Sequence, residues 1–485
     1  MKRILKRLLI YLILLGVLFG ACFGTFYYLR ASGYFAALAD HVRDTVHQAI
    51  HDAGLAAERT SSPDGGGTPP VQPGTTPQQP GTTPQQPPHS GPGYDEDGRL
   101  TDPDEALYAL LYEAAIAFTE EVDISHLGYT TDTLSDEVSR FFFTNPELFY
   151  VDNSYSVYTT GEGGPVQKIK LRYLTTPAVA QVQLQFYNNV LDEVVAGIPA
   201  GASDFDKVLY LHDYLVQNYA YDYEGLAEEQ ATGQSVAIRD VYTFFSGKVG
   251  VCQAYMLAMI ALCEEAGIPC LPVTSDAMSH AWNLVKVDGE WYHVDVTWDD
   301  AGGAQSAVYP SYVSYEYFLL SGEALYTGGR TVQWLASERS DSNKYDTAIW
   351  HQTTTRMQKY GNEYLCVVYD TVQKTPKIYK GAPEQMTVAA TLNAKWKSGA
   401  MSHYQQAWAS IVVWEDTVLL NTADGFLYYN AQTNTLTEAA DLSASLGNKQ
   451  IFGVCDVAAD GTLTYVAAVD YKGSFETRTW QIPTT

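Results

Sequence analysis

Two runs of alternating side chains, HAWNLVKV and EWYHV, meet at Asp288–Gly289, and no other stretch of this 485-residue chain narrows its fold as far. Alternation rich in β-branched and aromatic residues marks a strand, and a two-residue Asp-Gly connection is a preferred hairpin turn. The turn sets a register in which Val287 faces Glu290, Leu284 faces His293, Trp282 faces Asp295 and His280 faces Thr297. Side chains alternate between the two faces of a sheet. His280 and Asp295 therefore share a face as diagonal neighbours, ~7–8 Å apart at the backbone and within side-chain reach. A carboxylate beside an imidazole holds one tautomer and stabilises the imidazolium, as a general base requires. His293 is on the same face, nearer the turn, and stands as a rival base. Trp282, Trp291 and Trp298 read as packing around the site, with Trp282 shielding it from water. Asp299 and Asp300 read as solvated loop carboxylates, with metal ligation as the lesser alternative because no His or Cys cluster accompanies them.

Upstream, the stretch GKVGVCQAYMLAMIALCEEAGIPC sets Cys252 at the start of an apolar helix. Tyr255, Met256, Met259, Ile260 and Cys263 recur at helical spacing, and the intervening positions are also apolar, so the helix is buried on most sides. It stops at Gly267, before Pro269. Gly250 leaves the backbone room for a close approach. A sulfur at a helix N-terminus sits at the positive end of the macrodipole, which favours thiolate. A nucleophile here and an imidazole–carboxylate pair on the hairpin together compose a Cys–His–Asp set.

The motifs GVCQAY, HAWNLVKVDGEWYHVDVTWDD and YEYFLLS resemble the core of the transglutaminase-like superfamily, whose fold is related to papain-like thiol enzymes. The resemblance covers residues 204–321 and implies a catalytic Cys252, His280 and Asp295 in that chain order, with no cofactor and no metal. Ala254 stands where many members carry glycine. The resemblance implies thiolate attack on an amide or ester carbonyl, a departing amine protonated by His280, and a thioester resolved by water or by a second amine. The Cys252 backbone N–H is a natural oxyanion donor. Tyr242, in DVYTFF, is a candidate for the second.

The rest of the chain reads as a sequence of distinct segments. Residues 1–30 have a basic start (Lys2, Arg3, Lys6, Arg7) and a charge-free apolar run over 8–29, long enough to span a bilayer core of ~20 residues. Basic residues on the N-terminal side place that end in the cytoplasm and the remainder outside. A cleaved signal peptide and lipidation at Cys22 are the competing readings, and both also place the remainder outside. Residues 31–59 read as a helical stalk. Residues 60–100, with PGTTPQQ twice in tandem, form a Pro/Gly/Thr/Gln-rich linker that cannot bury enough apolar surface to order itself.

Globular patterning begins at 101. The notable helices are DPDEALYALLYEAAIAFTEEV, DTLSDEVSRFFFT, residues 176–196 and DFDKVLYLHDYLVQNY, with a strand pair around GEGG. His212, inside the last of these helices, reads as a satisfied core or surface histidine. Residues 101–200 thus form a helical part preceding a transglutaminase-like catalytic domain at 201–331. From 332 to 485, strands and turns recur in units spaced in the high forties, giving an all-β region that is partly propeller-like or a sandwich. Its tryptophans (Trp334, Trp350, Trp396, Trp408, Trp414, Trp480) read mostly as core. The overall class is α+β.

The net charge of −27 repels phosphate backbones and argues against nucleic-acid partners. Six cysteines in so long a chain do not make a disulfide scaffold; Cys263 and Cys270 flank a helix end, and Cys366 and Cys455 sit in strand-like stretches. The combined expectation is a membrane-anchored extracytoplasmic thiol enzyme acting on amide bonds of proteins or cell-wall peptides. The same architecture suits a surface binding or adhesion protein whose transglutaminase-like core is an inactive scaffold.

Overall fold

A computed structural model describes residues 104–161, 163–232, 237–300, 312–327, 334–396, 408–469 and 475–483. The expected membrane run, stalk and linker lie outside them. Among the described residues no helix is long and apolar enough to cross a membrane.

Helix α1 (Glu105–Ala117) starts where the Asp104 carboxylate accepts from the Leu107 N–H. The sequence pattern runs this helix on to Val122, and the structure does not. Phe118 turns left-handed at φ 53°, its N–H and that of Thr119 close on the carbonyls of Ala115 and Ala114, and Glu121–Asp123 becomes strand β1. Pairing with a distant strand outweighs the local helical pattern. Helix α2 (Thr131–Thr144) opens on a Thr130–Thr133 capping box. Strands β2 (Ser156–Thr159) and β3 (Val166–Lys170) complete a sheet of order β1-β3-β2. Leu107, Leu111, Val138, Phe141, Val166 and Ile169 form its core.

Helix α3 (Pro177–Ala196) and helix α4 (Asp204–Asn218) follow, as the apolar spacing predicts. A two-residue strand β4 (Ala220–Tyr221) precedes α5 (Tyr223–Thr232) and α6 (Val241–Gly247), and pairs in parallel with β5 (Val249–Gly250). Helix α7 (Cys252–Glu265) is buried without interruption from Ala254 to Cys263. It packs between α3 and α4 on one side and β6 (Cys270–Ser275) and β7 (His280–Val287) on the other. The room expected at Gly250 is taken: a Cβ there would lie 2.6 Å from the Phe244 ring and 2.8 Å from the Ala254 methyl.

Strand β8 (Glu290–Val294) pairs with β7 from Val287↔Glu290 to Asn283↔Val294, the register the turn dictates, with Asp288 and Gly289 both at positive φ. The register ends there. Asp295 leaves the strand to cap helix α8 (Val296–Asp299), accepting from the Trp298 N–H at 3.1 Å, so Trp282–Asp295 and His280–Thr297 are not strand pairs. Strand β9 (Phe318–Leu320) completes the sheet β6-β7-β8-β9.

The C-terminal region is built of antiparallel sheets in chain order. The first comprises β10 (Gln358–Tyr360), β11 (Glu363–Asp370), β12 (Thr375–Ala382) and β13 (Gln385–Thr391). The second comprises β14 (Ile411–Trp414), β15 (Thr417–Asn421), β16 (Gly425–Asn430) and β17 (Thr435–Asp441). The third comprises β18 (Gln450–Val457), β19 (Thr462–Ala468) and β20 (Glu476–Gln481). Leu365, Val367 and Ile378 of the first sheet pack on Ile411, Val418 and Leu420 of the second. Leu419 and Phe426 pack in turn on Ile451, Leu463 and Tyr465 of the third. Trp350 is fully buried, and Trp396 and Trp480 are spent on a backbone hydrogen bond and a ring stack with Phe426, which is packing use.

Candidate active site

Cys252 is the first residue of α7, and Val251 before it supplies no side-chain cap. First-turn N–H groups have no intrahelical acceptor, so those of Cys252 and Gln253 are available beside the sulfur. The thiol is partly exposed and lies in a cleft of ≈ 770 Å³ that His280 also lines. His280 begins β7, and its Nε2 lies 2.7 Å from Oδ2 of Asp295, whose carboxylate is 1% exposed. Cys252 acts on the same imidazole, favouring its charged form. With Nε2 engaged by Asp295, Nδ1 is the atom left for sulfur. Burial disfavours the charged ring, but the Asp295 charge and hydrogen bond, followed by Cys252, overcome it and hold His280 at about 9.

Two contacts set this geometry. Asn283, buried in β7, donates its amide to the Met256 carbonyl at 3.1 Å and so ties the helix of Cys252 to the strand of His280. Asp295 is held by capping α8 with its second oxygen. The His280 ring lies between two indoles, stacked at 5.5 Å on buried Trp282 and 5.3 Å from Trp298, which is 43% exposed. Trp282 shields the ring as its position suggests, and Trp298 stands at the solvent side. His293 is not a rival base: its Nδ1 accepts from the Trp282 indole N–H at 3.0 Å and its ring meets Trp334 edge-on.

Asp299 and Asp300 are not solvated. Asp299 is fully buried, within hydrogen-bond distance of His212 Nε2 at 3.2 Å and accepting from Ser314 Oγ and the Tyr317 N–H. His212 meets Asp213 through Nδ1 at 3.2 Å, and the two carboxylates outweigh its burial and raise it to about 9. It is a satisfied core histidine. Asp300 accepts from the Tyr255 hydroxyl while its Oδ1 finds no partner among the described residues; burial pushes it to about 7. No group of His, Cys, Asp and Glu suited to a metal occurs among the described residues.

Tyr242 is turned away from the cleft, stacked at 5.2 Å on Phe149 and edge-on to Phe186. The phenol that does line the cleft with Cys252 is Tyr221. The pairing of β4 with β5 sets Tyr221 opposite Gly250, two residues before the sulfur. Burial first, then the charge of Cys252, raises it to about 12, so it remains a donor at neutral pH. Its only signal in the sequence is the aromatic run NYAYDY, and nothing local marks the parallel pairing.

Residues 191–296 match the family model described as Transglutaminase-like superfamily, a span that includes Cys252, His280 and Asp295. The chain carries a transglutaminase-like domain. Over part of its length it also resembles known proteins. The chain is 25% identical over 153 residues to kyphoscoliosis peptidase of Mus musculus, covering 28% of this chain and 22% of that protein. A solved TGase structure aligns at 16% identity and TM-score 0.20 over 30% of this chain and 45% of the TGase. A candidate cysteine protease of Cytophaga hutchinsonii aligns at 14% identity and TM-score 0.18, covering 30% and 61% of the two chains. The chain thus spans about a fifth of the length of the curated relative it matches.

Proposed function

We propose that this protein is a membrane-anchored, extracytoplasmic thiol acyl-transfer enzyme that opens amide bonds of proteins or cell-wall peptides through Cys252, His280 and Asp295. The observation that carries the reading is one imidazole bonded at 2.7 Å to the Asp295 carboxylate and lining the same cleft as the Cys252 thiol. The apolar run at 8–29 supports the anchor, and the name of the mouse relative, a peptidase, agrees with amide chemistry.

In this reading Cys252 gives its proton to His280, and the thiolate attacks the substrate carbonyl carbon. The carbonyl π pair moves onto oxygen, which the Cys252 N–H and the Tyr221 hydroxyl stabilise. The electrons return, the C–N bond breaks, and the His280 imidazolium protonates the departing amine. Asp295 holds the ring in place through Nε2 and stabilises its cationic form. Water attacking the thioester gives hydrolysis, and a second amine gives transamidation. The decisive test is amide turnover by the wild type and by Cys252→Ala, alongside labelling of Cys252 by iodoacetamide near neutral pH. Rapid labelling and activity lost on substitution support the enzyme. Slow labelling with no turnover leaves the binding-scaffold reading.

A further inference from the structure

The cleft of Cys252 does not end at the sulfur. Phe143, Arg239 and Gln253 line it and also line a second pocket of ≈ 490 Å³, so the two adjoin at the residue that follows the nucleophile. Polar groups such as Asp152, Arg172 and Asp240 line that pocket, and its apolar lining includes Phe142, Leu148, Phe149, Val151, Leu174 and Leu257. Most of these apolar residues are buried, but Leu174, at its edge, is 60% exposed. All of them except Leu257 precede residue 191, outside the span that matches the family model.

The geometry points to a specificity pocket for a bulky apolar side chain, aromatic or branched aliphatic, on an extended polypeptide whose scissile amide lies at Cys252. The proposal rests on the thiol-enzyme reading for the placement of that amide. A chain with its carbonyl at the sulfur passes Gln253 in one direction and then meets this pocket. The charges along the route are engaged: Arg239 is paired with Glu229, Arg140 with Glu137 and Arg172 with Asp152, and Asp240 accepts from the Thr243 N–H, so the apolar lining is the distinctive surface.

The test uses the full chain carrying Cys252→Ala, so that binding is read without turnover. Short randomised peptides blocked at both ends are captured and sequenced, and an enriched peptide is compared with its version carrying Ala at the enriched position. Phe, Leu, Ile or Trp at one fixed position, with the Ala version binding about tenfold or more weakly, supports the pocket. Leu174→Glu and Asn153→Trp both alter exposed rim positions, so folding is not at stake; each should shrink that gap to about twofold. Peptides that fail to bind, bind without apolar preference, or keep their full preference in both variants overturn the proposal. The catalytic reading fails separately: if iodoacetamide labels wild-type Cys252 no faster than an ordinary thiol while the preference persists, the groove stands and the enzyme does not.

Discussion

Nε2 of His212 lies 3.2 Å from Oδ2 of Asp299, joining residues 87 positions apart in a fully buried contact. Asp299 ends the helix that Asp295 begins, so this contact anchors the element on which the His280 partner is mounted. Removing one member of a buried charged pair strands the other and costs about 3–5 kcal/mol. His212→Ala should therefore lower unfolding free energy by about that amount in urea titration at pH 7. The pH signature is distinct. A histidine held at about 9 in the fold, above its ordinary 6.5, lends stability that is complete below pH 6.5 and lost as pH rises through 9. The wild-type melting temperature should fall over that window, and His212→Ala should show less of the fall.

The Asp295 carboxylate is what lifts His280 against its burial. Asp295→Asn should move the alkaline limb of kcat/KM from about 9 toward the ordinary histidine value. It should also reduce kcat by on the order of 10³, because the ring loses its orienting partner. A kcat/KM profile between pH 5 and pH 10 reads both effects, and an unmoved limb would contradict the role given to Asp295.

Tyr221→Phe deletes one hydroxyl and leaves the ring in place. A donor to the oxyanion acts on the transition state, so kcat should fall on the order of 10²–10³ with KM nearly unchanged. Steady-state kinetics on one amide substrate decides it, and a change confined to KM would place the hydroxyl in ground-state binding instead.

Asp300 has a buried carboxyl held at about 7 with one oxygen unpartnered among the described residues. The folded protein keeps that proton after the unfolded chain has released it, so stability declines as pH rises from about 4 to 7 and stays reduced above. Asp300→Asn should melt higher than the wild type above pH 7, by roughly 1–3 kcal/mol, with the gap closing toward pH 4. Calorimetry across that range checks the trend.

The parts of the site that were legible in the sequence are those encoded by local rules. Period-two alternation and the Asp288–Gly289 turn yielded the hairpin down to its first pairs, and the apolar spacing behind Cys252 yielded α7. Extending the register to Asp295 failed because Val294 is the last strand residue and a helix cap takes over. His280 and Asp295 still meet, through the cap rather than through the ladder. Residues 299 and 300 were read as surface because paired aspartates usually are; the histidine that buries one of them lies on a helix far upstream. Tyr221 escaped for the same reason, since a two-residue parallel pairing leaves no periodic trace.

Tyr364, Cys366 and Val368 of β11 lie in the same apolar core as Ala254 through Cys263 of α7 and Trp350. The core that buries the nucleophile's helix thus extends to a strand more than a hundred residues downstream. A protein truncated at residue 331 would not be a self-contained smaller domain but one with its interior opened to water, and force on the C-terminal sheets would reach the core that buries the helix of Cys252.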